Sequence, residues 1–221
     1  MDVAKSVDYI GGVDESGKGD FFGPLVIAAA AIGREHESLL AKLNVRDSKK
    51  LTDARALAVA ERLRHHIPHD IVVIMPVKYN ELYRKIGNLN RLLAWGHARA
   101  LENLLARVDC TMIISDKFGK EELLKRAIME KGRQIELVQQ TRGEIHPPVA
   151  AASIIARAEF LKKMEQLRRR WKIEFPKGAA SQVDRAGKKF VESFGEKRLE
   201  EVAKVHFKNM RKINDLVGRV L

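Results

Sequence analysis

The alternation of apolar and polar positions cuts the chain into short buried-type runs separated by amphipathic stretches. The first run, from Tyr9, ends at the acids Asp14 and Glu15. Gly17, Gly19 and Gly23 then permit tight or left-handed turns, and Pro24 opens a second run, Leu25 to Ile32, long enough for a buried strand. The pattern reads as strand, acidic turn, strand. A short helix is expected from Glu37 to Leu43, followed by a polar loop from Val45 to Thr52. Thr52 is a good N-cap for an Ala-rich helix from Asp53 to His66, which Pro68 ends. Asp70 to Pro76 reads as a buried strand and Val77 to Ile86 as a short helix carrying Tyr79 and Tyr83. Gly87 to Asn90 breaks it, with Asn90 expected to cap a long amphipathic helix, Arg91 to Arg107, whose apolar side holds Leu92, Leu93, Ala100, Leu101 and Leu104.

The second half continues in the same alternation. Thr111 to Ser115 is rich in strand-forming residues and Asp116 follows at once. A helix is expected over Lys120 to Lys131, a strand over Ile135 to Gln139, and a long helix over Val149 to Arg170. That helix begins with Ala150, Ala151, Ala152 and Ser153, small enough to let its backbone approach a sheet closely. After a loop at Pro176 to Gly178, two helices, Ser181 to Ser193 and Glu196 to Val220, finish the chain. Strands alternating with helices predict an α/β domain. Asp14 and Asp116 both follow strands, where α/β proteins tend to place ligand sites.

Composition narrows the class. The 221 residues are 45% hydrophobic and 32% charged, which suits a folded globular protein. No apolar run approaches the roughly 20 residues of a membrane span, and Met1 to Ser6 has no signal-like apolar stretch. The single Cys110 cannot form an internal disulfide and reads as a buried thiol beside Met112. These features favour the cytosol and no membrane partner. Lys and Arg number 41 against 29 Asp and Glu, a net charge of +12 that suits a polyanion such as nucleic acid.

Four acids fall at element junctions: Asp14, Glu15, Asp116 and Glu144. Asp14 and Glu15 alone leave two readings open, an acidic turn in water or a cation site. If the four converge, the donors are all oxygen, which argues against zinc and for Mg2+ or Mn2+. Sites of that kind perform metal-assisted phosphoryl transfer with two ions roughly 3.5–4 Å apart. A basic protein carrying one fits a nuclease. Gly17-Lys-Gly19 lacks the spacing of a phosphate-binding Walker loop. His97 and Arg99, on a helix, read as packing or surface residues, whereas His146 and His206 stay open as site candidates.

An ordered series of segments resembles a known family, the type 2 ribonucleases H, and within it ribonuclease HIII. The segments are Asp14-Glu-Ser-Gly-Lys-Gly-Asp-Phe-Phe-Gly-Pro24, Asp47-Ser-Lys-Lys-Leu51, Lys78-Tyr-Asn80 and Gly87-Asn-Leu-Asn-Arg-Leu-Leu-Ala-Trp-Gly-His97. Asp116-Lys-Phe118, Val149-Ala-Ala-Ala-Ser-Ile-Ile-Ala-Arg157, Pro176-Lys-Gly-Ala179 and Lys204-Val-His-Phe207 complete it. The resemblance implies an RNase H-like fold: a central mixed β-sheet flanked by helices, with extra C-terminal helices from about residue 180 to 221. It implies an endonuclease that cleaves the RNA strand of RNA/DNA hybrids, leaving 3′-hydroxyl and 5′-phosphate ends, with Mg2+ or Mn2+ on Asp14, Glu15, Asp116 and Glu144. Glu144 is placed by counting back from Val149. Ser16, Gly17, Lys18, Gly19, Ser48, Lys49, Lys50, Asn88, Asn90, Ser153 and Lys177 are the expected substrate contacts.

The sister pattern, ribonuclease HII, resembles Asp-Glu-Ala-Gly-Arg-Gly, with an Asp as fourth acid and a junction-sensing Tyr after a His-Lys-Gly loop. Here Lys18, Glu144 and Ala179 stand at those places. Many HIII members carry an N-terminal substrate-binding domain. This chain reaches its first strand by Tyr9, so the expectation is a single catalytic domain over 1–221 without one, acting as a monomer. The alternatives are an HII-like enzyme acting at single ribonucleotides in DNA, a hybrid-binding module without turnover, and a different RNase H-like nuclease or transferase.

Overall fold

The computed structural model describes residues 8–45, 51–116, 119, 121–127 and 135–218. Five strands form one mixed sheet: β1 (Tyr9–Ser16), β2 (Leu25–Ile32), β3 (His69–Ile74), β4 (Cys110–Asp116) and β5 (Glu136–Gln140), in the order β3-β2-β1-β4-β5. β1 pairs with β4, and β4 with β5, in parallel. The helices are α1 (Glu37–Leu43), α2 (Asp53–His66), α3 (Pro76–Ile86), α4 (Leu89–Leu105), α5 (Glu121–Ala127), α6 (Pro147–Trp171), α7 (Ser181–Phe194) and α8 (Asn209–Leu216). Contacts divide the chain into two compact units. One comprises Met1–Glu15, Ile27–Val72 and Asn88–Ala158; the other comprises Ser16–Val26, Val73–Gly87 and Glu159–Leu221.

In the first unit, close approach is a matter of side-chain size. A Cβ on Gly12 would lie 2.3 Å from Pro148 C and Val149 N, so the start of α6 rides directly on β1. Ala150, Ala151 and Ala152 are fully buried, as the small-residue pattern implied. α6 starts two residues before the expected Val149, because a proline fits the first helical turn, where its missing N–H has no partner to lose. Thr52 caps α2 as expected, accepting from the Arg55 N–H. The cap of α4 is Asn88, not Asn90: its side chain accepts from the Arg91 N–H, and Gly87, at φ 66°, has just ended α3 in the left-handed region. Cys110 is buried, which pushes its thiol up to about 11.

In the second unit, aromatic side chains do the filling. Trp171 meets Phe190 and Phe194 edge-on, each at 4.9 Å between centroids, and Phe22 packs on Phe175. The expected last helix, Glu196 to Val220, is interrupted. A 3-10 turn, Glu196–Glu201, gives way to an irregular, turn-rich stretch with one bridge residue, Ala203, before α8. The reason lies in backbone pairing: Gly23 N–H donates to Val202 O, Lys204 N–H donates to Phe21 O, and Phe22 bridges Ala203. Those bonds take groups that a helix would have used internally. Lys204 is fully buried, its ammonium 2.7 Å from Gly23 O and within 3.5 Å of the Phe22 and Pro24 carbonyls. Burial lowers its pKa to about 7, and the Asp20 carboxylate opposes that fall.

Candidate active site

The parallel register of β1 and β4 sets the site. Val13 stands opposite Ser115, so the next residues, Asp14 and Asp116, neighbour each other at the C-terminal ends of adjacent strands. Strands so paired lie about 4.8 Å apart. Beyond β5 the chain turns through Arg142, at φ 60°, into a 3-10 turn over Gly143–Ile145. Gly143 N–H donates to Asp116 Oδ1 at 2.9 Å, and a Cβ on Gly143 would come within 3.0 Å of the Asp116 backbone. That contact places Glu144, half-buried, immediately beyond Asp116. Next along, His146 pairs with Gln140.

Asp14 and Glu15 lie inside β1 and not in the turn after it, so their side chains leave opposite faces of the strand. Asp14 accepts a hydrogen bond from Ser153 on α6. Burial, and then the neighbouring Glu15 charge, push the Asp14 carboxyl up to about 7. Glu15 Oε2 lies 2.9 Å from Nε2 of His97, a fully buried histidine on α4. A carboxylate only accepts, so this ring nitrogen carries the proton. The sequence reading placed His97 as packing or surface. The available signal was its position, four residues after Leu93 and four before Leu101, on the buried side of an amphipathic helix.

Among the described residues no three His, Cys, Asp or Glu side chains cluster tightly enough to hold a metal ion. The backbone brings Asp14, Asp116 and Glu144 to one end of the sheet, but their side chains are not closed around a common point. The donor set still fits a hard divalent cation. The donors are carboxylate oxygens, and Asp14, half-buried beside the like charge of Glu15, stands where such an ion would offset both desolvation and repulsion.

The expected substrate contacts fall in several places. Ser16 ends β1, and Gly17, Lys18 and Gly19 form the turn after it. Gly17, at φ 87°, could not carry a Cβ, which would lie 2.2 Å from Pro24 O. Lys177 sits in a loop bound to that same segment: Gly178 N–H donates to Asp20 Oδ1 at 2.6 Å, and Phe21 N–H donates to Gly178 O at 2.9 Å. Sequence spacing gave no hint of the Asp20 tie. Asn88 caps α4, Asn90 packs against Gly119, and Ser153 holds Asp14. Ser48, Lys49 and Lys50 lie outside the described residues. His206 stacks on Tyr83 at 4.0 Å, and burial lowers its pKa to about 4.

A model of the ribonuclease HII family matches residues 11–210. The chain belongs to the ribonuclease HII family. Membership makes it a hydrolase of the ribonuclease H type. Within the family it is 43% identical to ribonuclease HIII of Protochlamydia amoebophila over 208 residues, 94% of this chain and 69% of that protein. Several Chlamydia relatives at 40–44% identity are likewise named ribonuclease HIII, in agreement with the motif reading. The structure matches Bst-RNase HIII, solved in complex with Mn2+, at a TM-score of 0.88 and 35% identity, covering 97% of this chain and 71% of that one. Ribonuclease H2 from Pyrococcus horikoshii shares the fold at a TM-score of 0.81 and 23% identity, over 96% of this chain and 100% of that one. The expected architecture, a mixed sheet flanked by helices, is the one observed.

Proposed function

We propose that this chain is an endoribonuclease that cuts the RNA strand of RNA/DNA hybrids by metal-assisted hydrolysis, leaving 3′-hydroxyl and 5′-phosphate ends. The observation that carries the reading is the register that sets Asp14 beside Asp116, with the Gly143 turn adding Glu144 at the same sheet end. Asp14, Asp116 and Glu144, with Glu15, would hold Mg2+ or Mn2+. Such ions supply an activated water and charge neutralisation at the leaving 3′-oxygen. The chain's own residues hold the carboxylates in place: Ser153 fixes Asp14, the Gly143 N–H fixes Asp116, and His97 fixes Glu15. Ligand-orienting hydrogen bonds of this kind are worth about 10–100-fold in metal affinity or activity.

The glycine turn Ser16 to Gly19 follows the acids directly, and its bare backbone can approach ribose hydroxyls, the groups that distinguish RNA from DNA. Lys18 gives a point charge where an arginine would give a planar fork. Together with Ala179, it favours runs of ribonucleotides over single embedded ones. The single cysteine fits a reducing compartment such as the cytosol; among the described residues no helix is long and apolar enough to cross a membrane. The assignment of the fourth acid is tested by Glu144→Gln against Glu136→Gln and Glu159→Gln. The first should lose most of the Mg2+-dependent activity and the other two should keep it, and the reverse outcome moves the fourth ligand elsewhere.

A further inference from the structure

The helical unit has a charged concavity that the proposed reaction does not use. Arg168, Arg169 and Lys172, at the C-terminal end of α6 and just beyond it, face Arg185 and Lys189 of α7 across a cavity of about 510 Å3, with Glu174 as its one carboxylate. Arg168 and Arg169 share Glu165, and Arg168 also reaches Glu174 at 3.3 Å. Lys172, Arg185 and Lys189 form no ion pair with any described residue. Five cations against two carboxylates leave an excess of three positive charges around one hollow.

Part of this cluster has a local explanation and part has none. Cations in the last turn of α6 are favoured by the helix dipole, which accounts for Arg168 and Arg169. Arg185 and Lys189 sit in the middle of α7, one turn apart on the same face, where like charges repel and no helix end compensates. Both are exposed, so packing does not require them. Lys172 leaves α6 in the left-handed region, at φ 54°. An anion in the hollow would offset the mutual repulsion of Lys172, Arg185 and Lys189, and arginine forks suit phosphate oxygens.

We propose that this concavity is a second nucleic-acid subsite, one that takes backbone phosphodiester groups of a bound strand and adds affinity without reading sequence. The inference rests on the hybrid-cutting reading above, which is what brings a polyanion to this chain. Contacts of this type position a duplex and make its binding salt-dependent.

The test uses the full chain and the double variant Arg185→Ala/Lys189→Ala. Fluorescence anisotropy follows binding of a labelled RNA/DNA hybrid in EDTA, across a salt series. Two lost phosphate contacts should lower the log–log salt slope by about two and weaken binding several-fold at low salt. The thermal midpoint, and the turnover rate at saturating hybrid with Mg2+, should stay at the wild-type values. An unchanged slope and affinity overturn the proposal. So does a titration in which inorganic triphosphate binds wild type but not the variant while hybrid binding is the same in both, because the hollow then serves a small phosphate ligand. A wild-type protein that binds hybrid and never cuts it sinks the proposed activity and leaves this subsite standing. A protein that cuts hybrid while the variant binds it identically sinks the subsite alone.

Discussion

Removing the Asp14 charge should stabilise the metal-free protein while abolishing its activity. In the fold this carboxyl titrates near 7 against 3.8 for the ordinary group, because it is buried and because Glu15 is beside it. A shift of about three units corresponds to at most about 4 kcal/mol. Asp14 keeps some solvent contact, so about 2 kcal/mol is the working figure. The sign follows from proton binding. Between about pH 4 and 7 the native state holds a proton that the unfolded chain has released, so wild-type stability falls as pH rises through that window. Asp14→Asn keeps the size and the acceptor that Ser153 needs, and removes this slope. In a chain of this length each kcal/mol moves the melting temperature by about 2–4 °C. Thermal unfolding in EDTA from pH 4 to 9 should show no gain for the variant at pH 4 and a gain of about 4–8 °C above pH 7. Adding Mg2+ should raise the wild-type midpoint and leave the variant nearly unmoved. A variant less stable than wild type at pH 8, or a gain independent of pH, would refute the argument that Asp14 is a buried charge awaiting a cation.

Two other substitutions probe the supports of the site. His97→Phe keeps the ring volume and removes the Nε2–H that holds Glu15. Activity should fall about 10–100-fold with the hybrid KM little changed, and unaltered turnover would make His97 a packing residue only. Gly12→Ala drives a Cβ into the backbone of Pro148 and Val149, so denaturant unfolding should show a loss of about 3 kcal/mol or more, and a neutral result would mean that α6 can shift off β1.

Most of the fold was legible because it rests on periodicity. The runs at Leu25–Ile32 and Thr111–Ser115 and the stripe of α4 are long or regular enough to declare themselves, the second strand proving one residue longer at each end, and Thr52 and Gly87 punctuate the chain by their own backbone chemistry. What failed depends on partners distant in sequence. The break before α8 is caused by two backbone hydrogen bonds, Gly23 N–H to Val202 O and Lys204 N–H to Phe21 O, between segments about 180 residues apart, and no local signal records them. Lys204 is fully buried beside the same contacts, its ammonium held by the Gly23 carbonyl, which no local pattern around Lys204 foretells. Of the site, the strand-end acids could be located from their flanking runs. The Val13–Ser115 register that makes neighbours of Asp14 and Asp116 is a property of the sheet, and so is the pairing of Glu15 with His97 across 82 residues.

Substrate choice under metal control is what distinguishes a hybrid-specific, metal-dependent ribonuclease from every alternative. The measurement is the initial cleavage rate on one sequence presented as RNA/DNA hybrid, duplex RNA, duplex DNA, and DNA with a single embedded ribonucleotide, each with Mg2+, with Mn2+ and with EDTA. The expected result is cutting of the hybrid's RNA strand to 3′-hydroxyl and 5′-phosphate ends with either metal, none in EDTA, none on duplex DNA or duplex RNA, and little at the single ribonucleotide. Cleavage that survives EDTA, or that proceeds as fast on duplex DNA as on the hybrid, would contradict it.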